Sequence, residues 1–129
     1  MTDPLIFPDN KDFPWKEEHL QRHICDWLRV QRDQGKLSYD VGMEGIKLSI
    51  GVAVKAKKNG MNKGVPDLKI KLDGGALVHI ELKLGKKKVS ESQAIEHDLL
   101  RSLGHTVHVV RGDTPQEALE KVIAILDLK

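Results

Sequence analysis

The chain has 129 residues, a formal net charge of +2, and 40% hydrophobic and 31% charged residues, which suits one folded domain with its own core. No apolar run approaches the ~20 residues needed to cross a bilayer. The start, MTDPLIFPDNKDFP, lacks the basic opening and continuous apolar stretch of a secretory signal, and the single Cys25 has no second cysteine for a disulfide or a zinc site. The expectation is one domain over residues 1–129, cytoplasmic and without a membrane partner.

Residues 1–13, with Pro4 and Pro8, read as an irregular arm ahead of Pro14. From Trp15 to about Arg32 the apolar residues Leu20, Ile24, Trp27 and Leu28 follow helical spacing, with Glu17 and Glu18 in the first turn. Glu17 leads the stripe that continues through Leu20 and Ile24. It is either a surface acid that offsets the helix dipole or a group aimed at something polar inside. Gly35 ends this helix, residues 36–41 make a strand and residues 42–46 a loop. Residues 48–58 (LSIGVAVKAKK) read as a helix stopped by Asn59-Gly60.

Residues 66–73 and 76–84 both alternate in polarity around Asp73-Gly74-Gly75, the pattern of a β-hairpin. Leu68, Ile70, Leu72, Ala76, Val78, Ile80, Leu82 and Leu84 would form its core face. Asp67, Lys69, Lys71, His79, Glu81 and Lys83 would share the other. Opposed residues point to the same side, so a three-residue turn pairs Leu72 with Ala76 and therefore Asp67 with Glu81, whereas a two-residue turn would pair Asp67 with Leu82. Ser90 caps a helix that runs to Leu103 and Gly104, with Ala94, Ile95, Leu99 and Leu103 expected to face inward. A strand at residues 105–111 follows. Thr114-Pro115 opens the last helix, where Thr114 and Glu117 fit a capping box ahead of Ala118, Val122, Ile123 and Leu126. The order implies a small sheet covered by helices.

An aspartate and a glutamate on adjacent strands can share a divalent cation, and Lys83 points the same way as Glu81, so one small face can bind metal and handle phosphate charge. The same face would also serve as a solvated, lysine-rich strand surface. Between Lys55 and Lys88 ten lysines stand against three acids, a local balance of +7 that leaves −5 for the rest of the chain. Such a basic segment draws a polyanion toward carboxylates that would otherwise repel it, and it can equally be a solvated surface.

Weaker signals are also present. His19 and His23 are four apart on a helix without a third ligand, His79 shares the acidic face, and Gly42-Met43-Glu44-Gly45 is either a nucleic-acid contact or a plain turn. Trp15 and Trp27 read as packing residues.

Several blocks in order carry a family likeness: Glu17-x-x-Leu20-Gln21-x-x-Ile24, the stretch Asn59 to Leu68 ending in Gly64-Val65-Pro66-Asp67, Glu81-Leu82-Lys83, and Ser90-x-x-Gln93 followed by Gly104-His105-Thr106-Val107. From about Glu17 onward the chain resembles the stand-alone VRR-NUC branch of the PD-(D/E)XK nuclease superfamily. Val110-Arg111-Gly112 is only a faint echo of the segment that names the family. The resemblance implies an α/β, restriction-endonuclease-like core with a small mixed sheet flanked by helices.

It further implies a Mg²⁺ site, open to Mn²⁺, built by Asp67, Glu81 and the backbone carbonyl of Leu82, with Glu17 contributing directly or through water and Glu18 as the alternative helix acid. Lys83 would orient the attacking water and Gln93 would position lysine, water or phosphate. Lys57, Lys58, Lys63, Lys69, Lys86 and Lys87 would meet DNA. The implied activity is a structure-selective endonuclease on branched or double-stranded DNA, a homodimer that resolves Holliday junctions. A flap, nicking or restriction-type nuclease is the alternative, as is a nucleic-acid-binding module without catalysis. The dimer surface is expected between Lys36 and Lys58, where valine, isoleucine and alanine exceed what one exposed short helix needs.

Overall fold

A computed structural model describes residues 4–42, 49–60 and 62–128. Four helices and four strands follow in the order α1 (Glu17–Asp33), β1 (Leu37–Val41), α2 (Ile50–Lys58), β2 (Leu68–Leu72), β3 (Leu77–Leu84), α3 (Glu91–Ser102), β4 (Thr106–Gly112) and α4 (Pro115–Leu126). The strands form one mixed sheet in the order β1-β2-β3-β4, with β1–β2 and β2–β3 paired antiparallel and β3–β4 parallel. A parallel neighbour requires a crossover, and α3 supplies it.

The hairpin register is the one that the odd loop demands. Leu68 pairs with Ile80 and Lys69 with His79, while Leu72 N–H donates to Ala76 O at 2.8 Å across the turn Asp73–Gly75. Gly74 and Gly75 both have positive φ, a backbone that these residues adopt without the Cβ penalty. Continuing the register by one pair beyond Leu68 sets Asp67 opposite Glu81.

The apolar core lies on one face of the sheet, where Leu68, Ile70, Ile80, Leu82 and Val110 pack beneath Leu20, Ile24 and Leu28 of α1 and Ala118, Leu119, Val122 and Leu126 of α4. Ile123 of α4 is exposed rather than inward, one position beyond the buried stripe. Ala76, at the margin of the hairpin, is exposed as well. Trp15 is buried, with its indole N–H donating to Asn10 O at 2.6 Å, and Trp27 packs against the core. The arm is tied to α4 where Gln116 N–H donates to Pro8 O.

Two further local expectations fail. Thr114 Oγ1 accepts the Glu117 N–H at 3.2 Å, but the Glu117 carboxylate accepts from Asp113 N–H instead of closing a box with Thr114. The larger correction concerns α3, where Ala94, Ile95, Leu99 and Leu103 all face solvent. Its inward side carries His97 instead, because this helix covers the polar face of the hairpin. His79, Glu81 and Lys83 are consequently buried, while Lys69 and Lys71 on the β2 part of that face stay exposed.

Helix α2 forms as expected, with Ser49 Oγ accepting Val52 N–H and with Asn59 and Gly60 at its end, yet it buries no side chain. Met43, Glu44 and Gly45 of the glycine loop lie outside the described residues.

Candidate active site

The chain approaches Asp67 through a glycine that no other residue can replace without movement. Gly64 has φ +81, and a Cβ added there would overlap the Ser92 carbonyl and stand 3.0 Å from Gln93 N, so the approach loop rests directly on the first turn of α3. On its other side Gly42 N–H donates to Asp67 O at 2.8 Å, and a Cβ on Gly42 would stand 2.6 Å from Pro66 O. Asp67 is thus held between β1 and α3. Its Oδ2 accepts the Leu82 N–H at 2.7 Å, which stitches the aspartate to β3 one step beyond the last β2–β3 backbone pair.

Glu81 is 1% exposed, and α3 holds both oxygens of its carboxylate. Gln93 Nε2 donates to Oε2 at 3.3 Å, and His97 Nε2 lies 3.1 Å from Oε1. The two partners of Glu81 are four residues apart and so share one face of the helix. The orientation of the Gln93 amide follows from its other contact, since Ser90 N–H donates to Gln93 Oε1 at 2.9 Å within a complete capping box. With the oxygen committed to the cap, the nitrogen is turned to Glu81. Helix initiation and carboxylate support are therefore one structure.

Lys83 is 4% exposed on the same face. Burial, then Arg101 and Lys83, hold the His97 pKa below the usual imidazole value against the opposing pull of Asp98 and Asp67. His79 is lowered too, by burial first and then by His105 and Lys69, and its buried Nε2 has no hydrogen-bond partner among the described residues.

Glu17 Oε1 accepts Leu84 N–H at 3.3 Å and pairs with Lys87 Nζ at 3.5 Å. Glu18 is exposed, so Glu17 is the acid turned toward the hairpin. The structure brings together Asp67, Glu81, Lys83, Gln93 and the backbone of Leu82, with Glu17 and Lys87 at the adjoining end of β3. Lys69 stands beside His79 on the site face, and Lys63 and Lys86 are exposed on the flanking loops. Lys57 and Lys58 are exposed on α2.

The two helix histidines are engaged elsewhere: His19 Nδ1 accepts Lys16 N–H at 2.9 Å at the start of α1, and His23 Nε2 bonds Gln116 Oε1 of α4 at 2.9 Å. No group of three or more histidine, cysteine, aspartate or glutamate side chains stands ready-made to hold a metal among the described residues. The donor set still fits a hard divalent cation. Asp67 and Glu81 are oxygen donors on opposed positions, and Asp67 Oδ1 has no hydrogen-bond donor among the described residues.

His97 is the contact that the sequence reading missed. Its signal was its spacing, one helical turn after Gln93.

Among solved structures, the chain is similar to a "VRR_NUC domain protein" with a TM-score of 0.62 and 18% identity, covering 89% of this chain and 88% of that one. It is also similar to a "VRR_NUC domain" with a TM-score of 0.55 and 21% identity, covering 86% of this chain and 94% of that one. This chain has the VRR_NUC fold. No family model matches the sequence, and no curated protein does. In this chain α3 covers the polar side of the hairpin, where Glu81 and Lys83 are buried. No helix among the described residues is long and apolar enough to cross a membrane.

Proposed function

We propose that this VRR_NUC-fold chain is a nuclease: a divalent-metal-dependent endonuclease that hydrolyses phosphodiester bonds in branched DNA and resolves four-way junctions as a homodimer. The observation that carries the reading is the β2–β3 register, which continued one step beyond Leu68–Ile80 sets Asp67 against Glu81, with Asp67 Oδ2 bonded to Leu82 N–H and Lys83 buried on the same face as Glu81. A protein that only bound nucleic acid would gain nothing from carboxylates beside phosphate.

Asp67, Glu81 and the Leu82 carbonyl would hold the cation, and Glu17, bonded to Leu84 N–H two residues along β3, would contribute through water. When bound, Mg²⁺ or Mn²⁺ supplies charge neutralisation at the phosphate and lowers the cost of ionising water. The protein's own groups do the rest. Lys83 orients the nucleophilic water and offsets the charge that builds on the phosphate. Gln93 acts through Glu81, keeping one carboxylate oxygen in place, while the lysines that flank the hairpin attract the substrate.

Two symmetric cuts across a branch need two sites related by a two-fold axis. Exposed apolar residues on α2 (Ile50, Val52, Val54) and on α3 (Ile95, Leu99, Leu103) supply surface for such an assembly.

The test is cleavage of matched four-way junction, flap and duplex DNA with Mg²⁺ and with EDTA. Paired cuts in the junction alone, lost in EDTA, are expected. Flap-selective or single-strand nicking would move the proposal to that substrate, and no cleavage of any substrate would remove it.

A further inference from the structure

We infer that His97 is a positioning residue of the active site, fixing the Glu81 carboxylate in the rotamer in which it can share a cation with Asp67. The inference rests on the nuclease reading of this site and adds a residue and a role to it.

Glu81 is 1% exposed and His97 2% exposed, so their contact is made with almost no solvent to compete for it. An ionised carboxylate can only accept, so the 3.1 Å contact requires the proton on His97 Nε2. Gln93 tethers Glu81 Oε2, and a second donor on Oε1 opposes rotation about the bond that carries the carboxylate. The two tethers leave from one helix face a single turn apart, so they act as a clamp whose span is set by the helix repeat.

The arrangement follows the usual logic of metal sites, in which groups behind the ligands fix ligand orientation. It also explains why a polar residue occupies the inward face of α3 while Ile95, Leu99 and Leu103 point to solvent. Burying the histidine is unfavourable on its own, and the Glu81 carboxylate is the partner that offsets it.

The experiment uses the full chain. Mn²⁺ affinity is measured by calorimetry without DNA, and single-turnover cleavage is followed against Mg²⁺ concentration, for wild type, His97→Phe and His97→Gln. His97→Phe keeps a ring without a donor and is expected to weaken Mn²⁺ binding and raise the half-saturating Mg²⁺ by ~10-fold or more, as loss of a group behind a metal ligand does. The cleavage rate at saturating metal should recover to within a few-fold. His97→Gln restores a donor and should recover most of the affinity.

In parallel, ¹⁵N-labelled wild type is titrated with Mg²⁺, and the His97 Nε2 resonance should move with the same apparent affinity. This measurement stands even if His97→Phe does not fold. Unchanged metal affinity in a folded His97→Phe, or a His97 resonance that ignores Mg²⁺ while the metal binds, overturns the inference and leaves the nuclease reading intact. Wild type that binds no Mn²⁺ and cleaves nothing overturns both.

Discussion

Replacing Gly64 by alanine should damage stability and catalysis together, because this glycine is the spacer between the Asp67 approach and α3. The residue has φ +81, and a non-glycine residue in that region costs ~1–2 kcal/mol. The added Cβ would also overlap backbone atoms of Ser92, not the end of a flexible side chain, so either α3 or the loop must shift. Forcing a methyl group into a packed contact typically costs ~1–3 kcal/mol. The sum, ~2–5 kcal/mol, corresponds to a fall in Tm on the order of 10 °C for a chain of this length.

Gly60→Ala is the internal control. Gly60 has φ +100 with nothing within 4 Å of an added Cβ, so it should suffer the conformational cost alone. Calorimetric melting of both variants isolates the clash. Single-turnover cleavage at a temperature where both are folded then reads its effect on the site, since a shifted α3 carries Gln93 and His97 away from Glu81. Gly64→Ala melting within ~0.5 kcal/mol of Gly60→Ala, a difference no larger than ordinary surface substitutions produce, would refute the spacer role.

Lys83→Ala should lower the single-turnover rate by ~10²-fold or more with modest loss of DNA binding, as expected for a group that acts mainly in the transition state. An equal rate defect in Lys86→Ala would remove the specific role. Leu99→Glu, at the middle of the exposed α3 stripe, should convert a dimer to monomer in light scattering, and a dimer that persists unchanged would exclude that stripe from the interface. Burial pushes the Cys25 thiol up to about 11 from 9.0, so iodoacetamide at pH 8 should alkylate the folded chain ~100-fold more slowly than a free thiol. Because the folded-state value lies above the unfolded one, the thiol's contribution to stability is complete below about pH 9 and is lost as pH rises toward 11. Denaturation midpoints that stay level over that range, or alkylation at the free-thiol rate, would contradict it.

The hairpin was legible because its geometry is discrete. An odd loop at Asp73–Gly75 admits one parity, and that parity sets Asp67 opposite Glu81 without a compensating bulge. Helix α3 was legible as a helix but not in its orientation, since periodicity shows that Ile95, Leu99 and Leu103 share a face without saying what lies across from it. The rule that apolar faces point inward fails where the covered surface is itself polar, and here the covered surface is Glu81, Lys83 and His79. His97 was invisible for the same reason, because its value depends on a partner sixteen residues away across the crossover. Spacing on the Leu20–Ile24 stripe favoured Glu17 over Glu18 without deciding between them, and the contact of Glu17 with Leu84 N–H required the tertiary structure. At α4, Glu117 had two nearby backbone donors to choose from, and pattern alone does not rank Asp113 against Thr114.

The central claim is tested most directly by Glu81→Gln together with Asp67→Ala in single-turnover cleavage of four-way junction DNA, with melting recorded on the same samples. Glutamine keeps the shape of residue 81 and an oxygen that can accept from His97, but its amide nitrogen then faces the Gln93 Nε2 donor, so Tm should fall while the chain stays folded and cleavage disappears. Asp67→Ala should likewise remain folded and inactive. Wild-type cleavage in EDTA, or either variant cutting at the wild-type rate, would contradict the assignment of Asp67 and Glu81 as the metal-binding acids of a nuclease.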